Sequence, residues 1–297
     1  MPDDAVNRTA LFEELRPRLL GIAYRMTGSV ADAEDVCQDA WLRWQALDMD
    51  ALDSAEAYLV RVVTNVAIDR LRSAQHRRET YVGSYLPEPV LTARTDTPVE
   101  AAELADSMTF AFLVLLDELN PTQRAVFLLR DVFRYSFDEI AGAVGRTPAA
   151  CRQIASRTRR LLDARRVELR RASDEVERRL VDAFVATTIA GDIPALMALL
   201  ADDVVQLSDS GADRRAARRP IVGADRVARN IANLTRRFPP DLTVEFVRVN
   251  TNPGVVLRRG AQADLVASFE LAPDGRIRRI FVQLNPEKLR HLDAGLA

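Results

Sequence analysis

Lysine is almost absent from this chain. Lys288 is the single one among 41 basic residues, so nearly all positive charge is guanidinium. Cysteine and histidine occur only twice each. Cys37 and Cys151 lie far apart, without metal-ligand spacing, and read as small buried apolar residues inside helices. A disulfide scaffold and a zinc module are therefore excluded. No apolar run approaches the ~20 residues of a membrane span. The acidic start MPDDAVNRTALFEEL lacks the basic region and apolar core of a secretory signal, so a cytoplasmic location away from membranes is expected. No phosphate-binding glycine loop and no nucleophile–base constellation is present, and no cofactor or metal is expected. What remains is a 297-residue chain, 48% hydrophobic, with formal net charge −2. That length and composition suit two or three domains with cores of their own.

The most informative stretch is residues 119–162. Phe137, Ile140, Ala141 and Val144 recur at i, i+3, i+4 and i+7, the stripe of a short buried-face helix over 136–144. Gly145 breaks it at a tight turn. Thr147 and Pro148 restart it, as N-cap and first-turn proline. Ala141 and Gly145, four apart, suggest a close helix crossing. The second helix carries Arg152, Gln153, Ser156, Arg157, Arg159 and Arg160, with Arg146 just before it. This reads as a helix-turn-helix whose second helix enters a major groove: Arg and Gln can pair with base edges while other arginines hold phosphates. Residues 146–171 hold nine arginines against Asp163 and Glu168, a basic block in a near-neutral protein. An ordinary helical hairpin with a solvated basic face is the competing reading.

Residues 11–74 have an all-helical texture. Leu11, Leu15, Leu19, Ile22, Ala23 and Met26 line one face of a helix ended by Gly28. A second helix spans 32–45, opened by Asp32, Glu34 and Asp35 at its positive dipole end. A third starts near Ser54. Residues 1–56 hold twelve acids against five arginines, whereas the third helix is basic, with Arg61, Arg70, Arg72, Arg77 and Arg78. Thr64, Asn65 and Asp69 add hydrogen-bonding groups suited to single-stranded bases. Solvated helix faces are the alternative here too. Periodicity fades over 75–97, a linker in which Tyr85, Leu86 and Pro87 are apolar enough to dock. Helices resume near residue 99 and continue past 171.

From about residue 173 two helices (175–190, 193–200) precede strand-length runs at 204–207, 242–250, 254–258, 262–272 and 277–284. Asn252-Pro253-Gly254 and Pro273-Asp274-Gly275 mark turns. Helices followed by a meander predict a separate α+β domain.

The segments DAEDVCQDAWLRW and AYLVRVVTNVAIDRLRS, followed by a linker and the helix-turn-helix, resemble the bacterial extracytoplasmic-function sigma factors, over residues 11–162. The resemblance implies that the acidic helix (Asp32, Glu34, Asp35, Gln38, Trp41, Leu42) binds the clamp helices of core RNA polymerase. It implies that Arg61, Thr64, Asn65, Asp69, Arg70 and Arg72 open and read the −10 promoter element. Arg146, Thr147, Arg152, Gln153, Ser156, Arg157, Arg159 and Arg160 would meet the −35 element. The implied organisation is a region 2 domain (1–76), a linker (77–104), a region 4 domain (105–171) and a C-terminal domain (172–297).

Most such factors end soon after the helix-turn-helix. The extra domain resembles a cone-shaped SnoaL-like α+β domain, as in the SigJ-type subgroup. Three matches carry this: YLPEP at 85–89, with Tyr85 where the subgroup has Trp; LNPEKL at 284–289; and the 208–229 loop followed by its R-P-I-x-G segment. In that loop only Asp209 and Gly211 keep the glycine-rich core. Regulatory residues are expected at Asp209, Gly211, Arg214, Arg219, Asn285, Pro286 and Lys288. The basic loop (Arg214, Arg215, Arg218, Arg219) is expected to dock on the acidic linker, and a small apolar ligand in the cone is a second expectation. Relatives of the cone include isomerases and cyclases with an Asp or His base. Asp202, Asp203, Asp209 and Asp264 qualify by type alone, with Asp202 and Asp203 better read as a turn, and His291 falls on the tail. No catalytic residue is expected. An isomerase or cyclase targeted to DNA or polymerase by its helical half is the alternative.

Overall fold

The computed structural model describes residues 2–47, 52, 54–79, 81, 83–92, 106–164, 173–212, 214, 216–236, 238–239 and 241–293. The chain forms two compact units: Met1–Thr80 with Ala111–Arg166, and Tyr81–Phe110 with Val167–Ala297. The linker thus belongs to the same unit as the C-terminal domain.

The first unit is all helical. Helix α1 (Pro2–Thr27) packs with α2 (Val30–Gln45) and α3 (Ala55–Glu79). Helix α2 begins two residues earlier than its acids suggest, because Ser29 caps it by accepting from the Asp32 N–H at 3.1 Å. Trp44, Leu19, Ile22, Met26 and Leu59 are fully buried among these helices. Next come α4 (Phe110–Leu116), α5 (Pro121–Phe127) with a π-helical turn over Leu128–Val132, α6 (Phe137–Val144) and α7 (Pro148–Asp163). Arg124 ties the two halves of this unit together. Buried, it donates to the carbonyls of Leu116 (3.1 Å) and Met26 (2.6 Å) and pairs with Asp117. One guanidinium so satisfies carbonyls at two helix ends that lack intrahelical partners.

The second unit is α+β, as expected. Helices α8 (Asp174–Ala190), α9 (Ile193–Ala198) and α10 (Ala224–Thr235) lie on a six-stranded sheet. Its strands are β1 (Leu200–Asp209), β2 (Ile221–Val222), β3 (Thr243–Val249), β4 (Asn252–Arg259), β5 (Gln262–Leu271) and β6 (Ile277–Gln283), in the order β2-β1-β6-β5-β4-β3. Only β1 and β6 run parallel. Register shifts at Leu200/Val205, Leu257/Arg258 and Glu270/Leu271 mark bulges, which bend strands.

Period-2 alternation assigns the two faces. Leu265, Ala267, Phe269 and Leu271 of β5, with Ile280 and Val282 of β6, join Phe184, Leu196 and Val227 in the helix-covered core. Phe281 and Gln283 take the opposite face, also buried. Phe281 stacks on Phe110 at 5.5 Å. Both faces of β5 are therefore covered, which is why its sequence reads as nearly continuous burial.

Three local readings need correction. Asp202 and Asp203 sit within β1, paired with Arg276 (2.9 Å) and Arg278 (2.8 Å) on the exposed side, rather than in a turn. Asn252, Pro253 and Gly254 belong to β4. The turn is at Asn250 and Thr251, whose φ angles are 50° and 69°, because a β3 strand ending at Val249 pairs it with Asn252. Gly145 is not at a close helix crossing: a Cβ there would meet nothing within 4 Å, and its φ of 64° is what the turn requires.

Candidate nucleic-acid interface and linker clamp

Helix α7 is built to present one face. Thr147 caps it by accepting from the Ala150 N–H at 3.2 Å, and Pro148 occupies the first turn. Cys151, Ala155, Thr158 and Leu162 are buried at i, i+4, i+7 and i+11. Arg152, Gln153, Ser156, Arg157, Arg159 and Arg160 are left exposed. These six do not have equal freedom. Arg159 is held by Asp131 at 2.5 Å, and Arg160 leans back on Ser156 Oγ at 3.4 Å. Arg152 lies over the Phe137 ring at 5.8 Å. Among the described residues, Gln153 and Arg157 have no such tether. Thr147 is spent on the cap. The preceding helix is fixed by a reciprocal box: Ser136 N–H donates to Glu139 Oε2 (2.7 Å), and Glu139 N–H to Ser136 Oγ (3.3 Å). Hydrogen bonds from the Ser136 side chain and its backbone N–H hold the Glu139 carboxyl below its usual pKa.

On α3, Arg61, Asn65, Asp69 and Arg72 share one exposed face. Two residues expected there are elsewhere. Thr64 is fully buried, its hydroxyl without a hydrogen-bond partner among the described residues. Arg70 turns toward α2, 2.9 Å from Asp32 and 3.1 Å from Asp35. The same pairing occupies part of the acidic set on α2. Glu34, Asp35 and Gln38 remain exposed, Trp41 packs half-buried on Phe12 at 4.9 Å, and Leu42 is 55% exposed. An apolar side chain so exposed beside carboxylates suits a partner surface.

Within this unit, α3 and the helix-turn-helix share a groove of about 470 Å³. Arg72, Arg146 and Arg157 line it, with Asn120, Gln123 and Ile154. Glu56, at the start of α3, accepts from Tyr135 Oη at 2.7 Å, just before α6. Burial and that carboxylate raise the Tyr135 pKa.

In the second unit the linker is clamped. Asp209, at the end of β1 and 1% exposed, accepts from four groups. They are the Leu86 N–H (2.9 Å), the Gly211 N–H (3.1 Å), Lys288 Nζ (2.8 Å) and Tyr81 Oη. Lys288 also donates to the Leu86 carbonyl (2.6 Å) and lies 3.2 Å from the Tyr85 ring centroid. Asn285 Nδ2 donates to Tyr81 Oη at 3.1 Å. Burial, then the bond to Asp209, pushes the Tyr81 phenol upward. Gly211 has a φ of 65°, and a Cβ there would come within 2.9 Å of the Asn285 side chain. Further along, Gln283 donates to the Pro87 carbonyl (3.2 Å), His291 meets the Pro89 carbonyl (2.7 Å), and Val90, Leu91 and Thr92 pair with the end of β3.

Residues 11–77 match the Sigma-70 region 2 family and residues 109–162 the Sigma-70, region 4 family. The ECF RNA polymerase sigma factor SigJ of Mycobacterium tuberculosis is 42% identical over 288 residues, covering 93% of this chain and 91% of that protein. This chain belongs to the extracytoplasmic-function RNA polymerase sigma factors. The probable ECF sigma factor SigI of the same species is 29% identical, with 97% of each chain covered. The crystal structure of M. tuberculosis SigJ overlaps 95% of this chain and 98% of its own, at 33% identity and a TM-score of 0.72. Coverage this long takes in the fused C-terminal domain as well as the helical half. As a member of this family, the chain binds core RNA polymerase and promoter DNA and directs transcription initiation.

The three matches in this sigma factor's C-terminal half meet in one place. Tyr85 and Leu86 of the YLPEP segment, Asp209 and Gly211 of the loop, and Asn285 and Lys288 of the LNPEKL segment form the clamp; Pro286 opens the short 3₁₀ turn that carries Lys288. Arg214 is not part of it. It is held by Asp264, at 2.6 Å to the carbonyl and 2.8 Å to the carboxylate, and Arg259 holds the other oxygen at 2.7 Å. Linker docking runs through this buried aspartate–lysine pair, since Arg214 is spent on β5. Arg215 and the linker acids Asp96, Glu100 and Glu103 fall outside the described residues, as do 165–172 and the side chains of Arg77 and Arg78. Arg219 is exposed on the loop.

Sequence reasoning missed Tyr81, Gln283 and Asn250. Fully buried, Asn250 donates its N–H to the Val90 carbonyl (2.8 Å), accepts the Val90 N–H (3.0 Å) and donates to the Met108 carbonyl (2.9 Å). An asparagine just after a strand is a turn signal, and that was the available clue.

Proposed function

We propose that this sigma factor reads promoters at two points and that its C-terminal domain sets how freely the linker between them moves. Arg146, Arg152, Gln153, Ser156, Arg157 and Arg160 meet the −35 element, with Gln153 and Arg157 carrying most base discrimination. Arg61, Asn65, Asp69 and Arg72 meet the −10 element. Glu34, Asp35, Gln38, Trp41 and Leu42 bind the polymerase clamp helices. Region 2 spans about 1–76, the linker 77–104, region 4 105–171 and the regulatory domain 172–297, and the factor works in the cytoplasm. The C-terminal domain acts by binding rather than catalysis: the candidate bases are already engaged, Asp209 by Lys288, Tyr81 and two backbone N–H groups and Asp264 by Arg214 and Arg259.

One observation carries the regulatory reading: the linker is bonded to the C-terminal domain from Tyr81 to Thr92. A fused domain has a high effective concentration for such a contact, so it can hold or release the linker without a second protein. In transcription from the target promoter with purified core polymerase, Lys288→Met and Leu86→Asp, which loosen the clamp, are expected to change output several-fold. Output equal to wild type from both would overturn the reading.

A further inference from the structure

Arginine in the second unit is mostly neutralised. Arg214, Arg258, Arg276, Arg278 and Arg279 each lie within 3.3 Å of a carboxylate oxygen. Arg218, Arg219 and Arg226 differ. They are exposed, and among the described residues none has an ion-pair partner. They nevertheless line one concavity of about 500 Å³. Ala217, Pro220, Ile221 and Val222 line it beside them. The carboxylate nearest in sequence, Asp225, is taken by Arg229 through both oxygens, at 2.8 and 3.0 Å.

Three like charges gathered around one concavity repel one another and weaken the fold slightly unless an anion joins them. Arg218, Arg219 and Arg226 share this concavity because a short loop, the edge strand β2 and the first turn of α10 meet there. Guanidinium forks match phosphate oxygens in pairs. The volume falls within the ~300–1,000 Å³ of small-molecule sites, and apolar lining beside the arginines suits an organic moiety better than it suits duplex DNA, which presents a convex ridge of phosphates. We propose that Arg218, Arg219 and Arg226 form a binding site for a small organic anion bearing two or more phosphate groups.

The site adjoins the linker. Gly83 packs against the Arg218 backbone, where a Cβ would lie 3.7 Å from Cα, and its φ is 103°. An occupant that draws Arg218 inward therefore acts on the clamped segment, a consequence that rests on the regulatory reading above, whereas the site itself does not.

The test is calorimetric titration of the full-length chain with pyrophosphate and, separately, with ATP. Saturable binding is expected, weakened at least tenfold in Arg218→Ala/Arg226→Ala and unchanged in Arg229→Ala, whose guanidinium is already paired. No binding of either probe, or binding indifferent to the double variant, overturns the site. A double variant that loses affinity for random-sequence duplex DNA while keeping that for pyrophosphate overturns it in favour of DNA. Limited proteolysis within 81–92, with and without pyrophosphate, reads the coupling separately. Changed cleavage supports it; unchanged cleavage with intact binding overturns the coupling and leaves the site.

Discussion

Lys288 Nζ lies 2.8 Å from Asp209 Oδ2, 2.6 Å from the Leu86 carbonyl and 3.2 Å from the centre of the Tyr85 ring. The one lysine of the chain thus joins three separate segments: the end of β1, the linker and the tail after β6. An ammonium is a compact charge with three rotatable donors, and this site uses its compactness. Removing one member of a buried pair leaves the other charge uncompensated, at a cost of about 3–5 kcal/mol. Lys288→Met should fall near the lower end, because Asp209 keeps two backbone N–H donors and Tyr81. Denaturant titration measures the loss, and proteolysis within 81–92 should quicken. A variant as stable as wild type with a linker equally resistant would contradict the clamp.

The proposed −35 contact divides the residues on and just before α7 into readers and anchors. Gln153→Ala should cost roughly 1–3 kcal/mol in discrimination at one base position and little on random DNA. Arg146→Ala should weaken binding to all sequences alike and reduce the salt slope by about one. Binding isotherms of the holoenzyme at several salt concentrations separate the two; identical profiles for both variants would reject the division.

Thr64 provides a test on α3. Its buried hydroxyl has no partner among the described residues, so Thr64→Val removes an unsatisfied group and should raise stability by up to ~1 kcal/mol with promoter opening unchanged. Asn65→Ala, on the exposed face, should leave stability alone and reduce promoter opening. A loss of opening in Thr64→Val at full stability would return this residue to the DNA interface.

The capping box gives a pH dependence. The folded pKa of Glu139 is depressed by the hydrogen bonds from Ser136, so the stability it adds is present above the unfolded value, about 4.3. That stability is lost as pH falls through the lower, folded value. Glu139→Ala should cost about 0.5–1 kcal/mol at pH 7, and its melting temperature should converge on that of wild type in acid. Parallel curves from pH 7 down to pH 2 would show that the carboxylate does not contribute.

Both cysteines should be inert in the native protein. Burial pushes Cys37 up to about 12 and also raises Cys151, so neither is a thiolate at pH 8. A disulfide reagent should label neither before denaturation and both afterwards. Rapid labelling of either native thiol would show that its helix opens.

Much of this molecule can be read from local pattern. Ser54, Ser136, Thr147 and Pro148 mark helix starts because caps satisfy orphan N–H groups within a few residues of themselves. The stripe from Cys151 to Leu162 faces the core because helical period alone decides it, and Gly145 breaks the helix because the turn needs a positive φ. The resemblance of residues 11–162 to sigma factors rests on the same local segments. Tertiary structure decided which polar residues remain available. Thr64 and Arg70 carry suitable chemistry, but one is swallowed by the core and the other is claimed by Asp32 and Asp35 on a helix more than thirty residues away. Likewise nothing local distinguishes Asp209 from Asp202, seven positions earlier in the same strand. The parallel pairing of β1 with β6 sets Asp209 opposite Gln283, on the face the linker covers. Burial and charge pairing act between residues distant in sequence, so the clamp became visible only once the strands were in register.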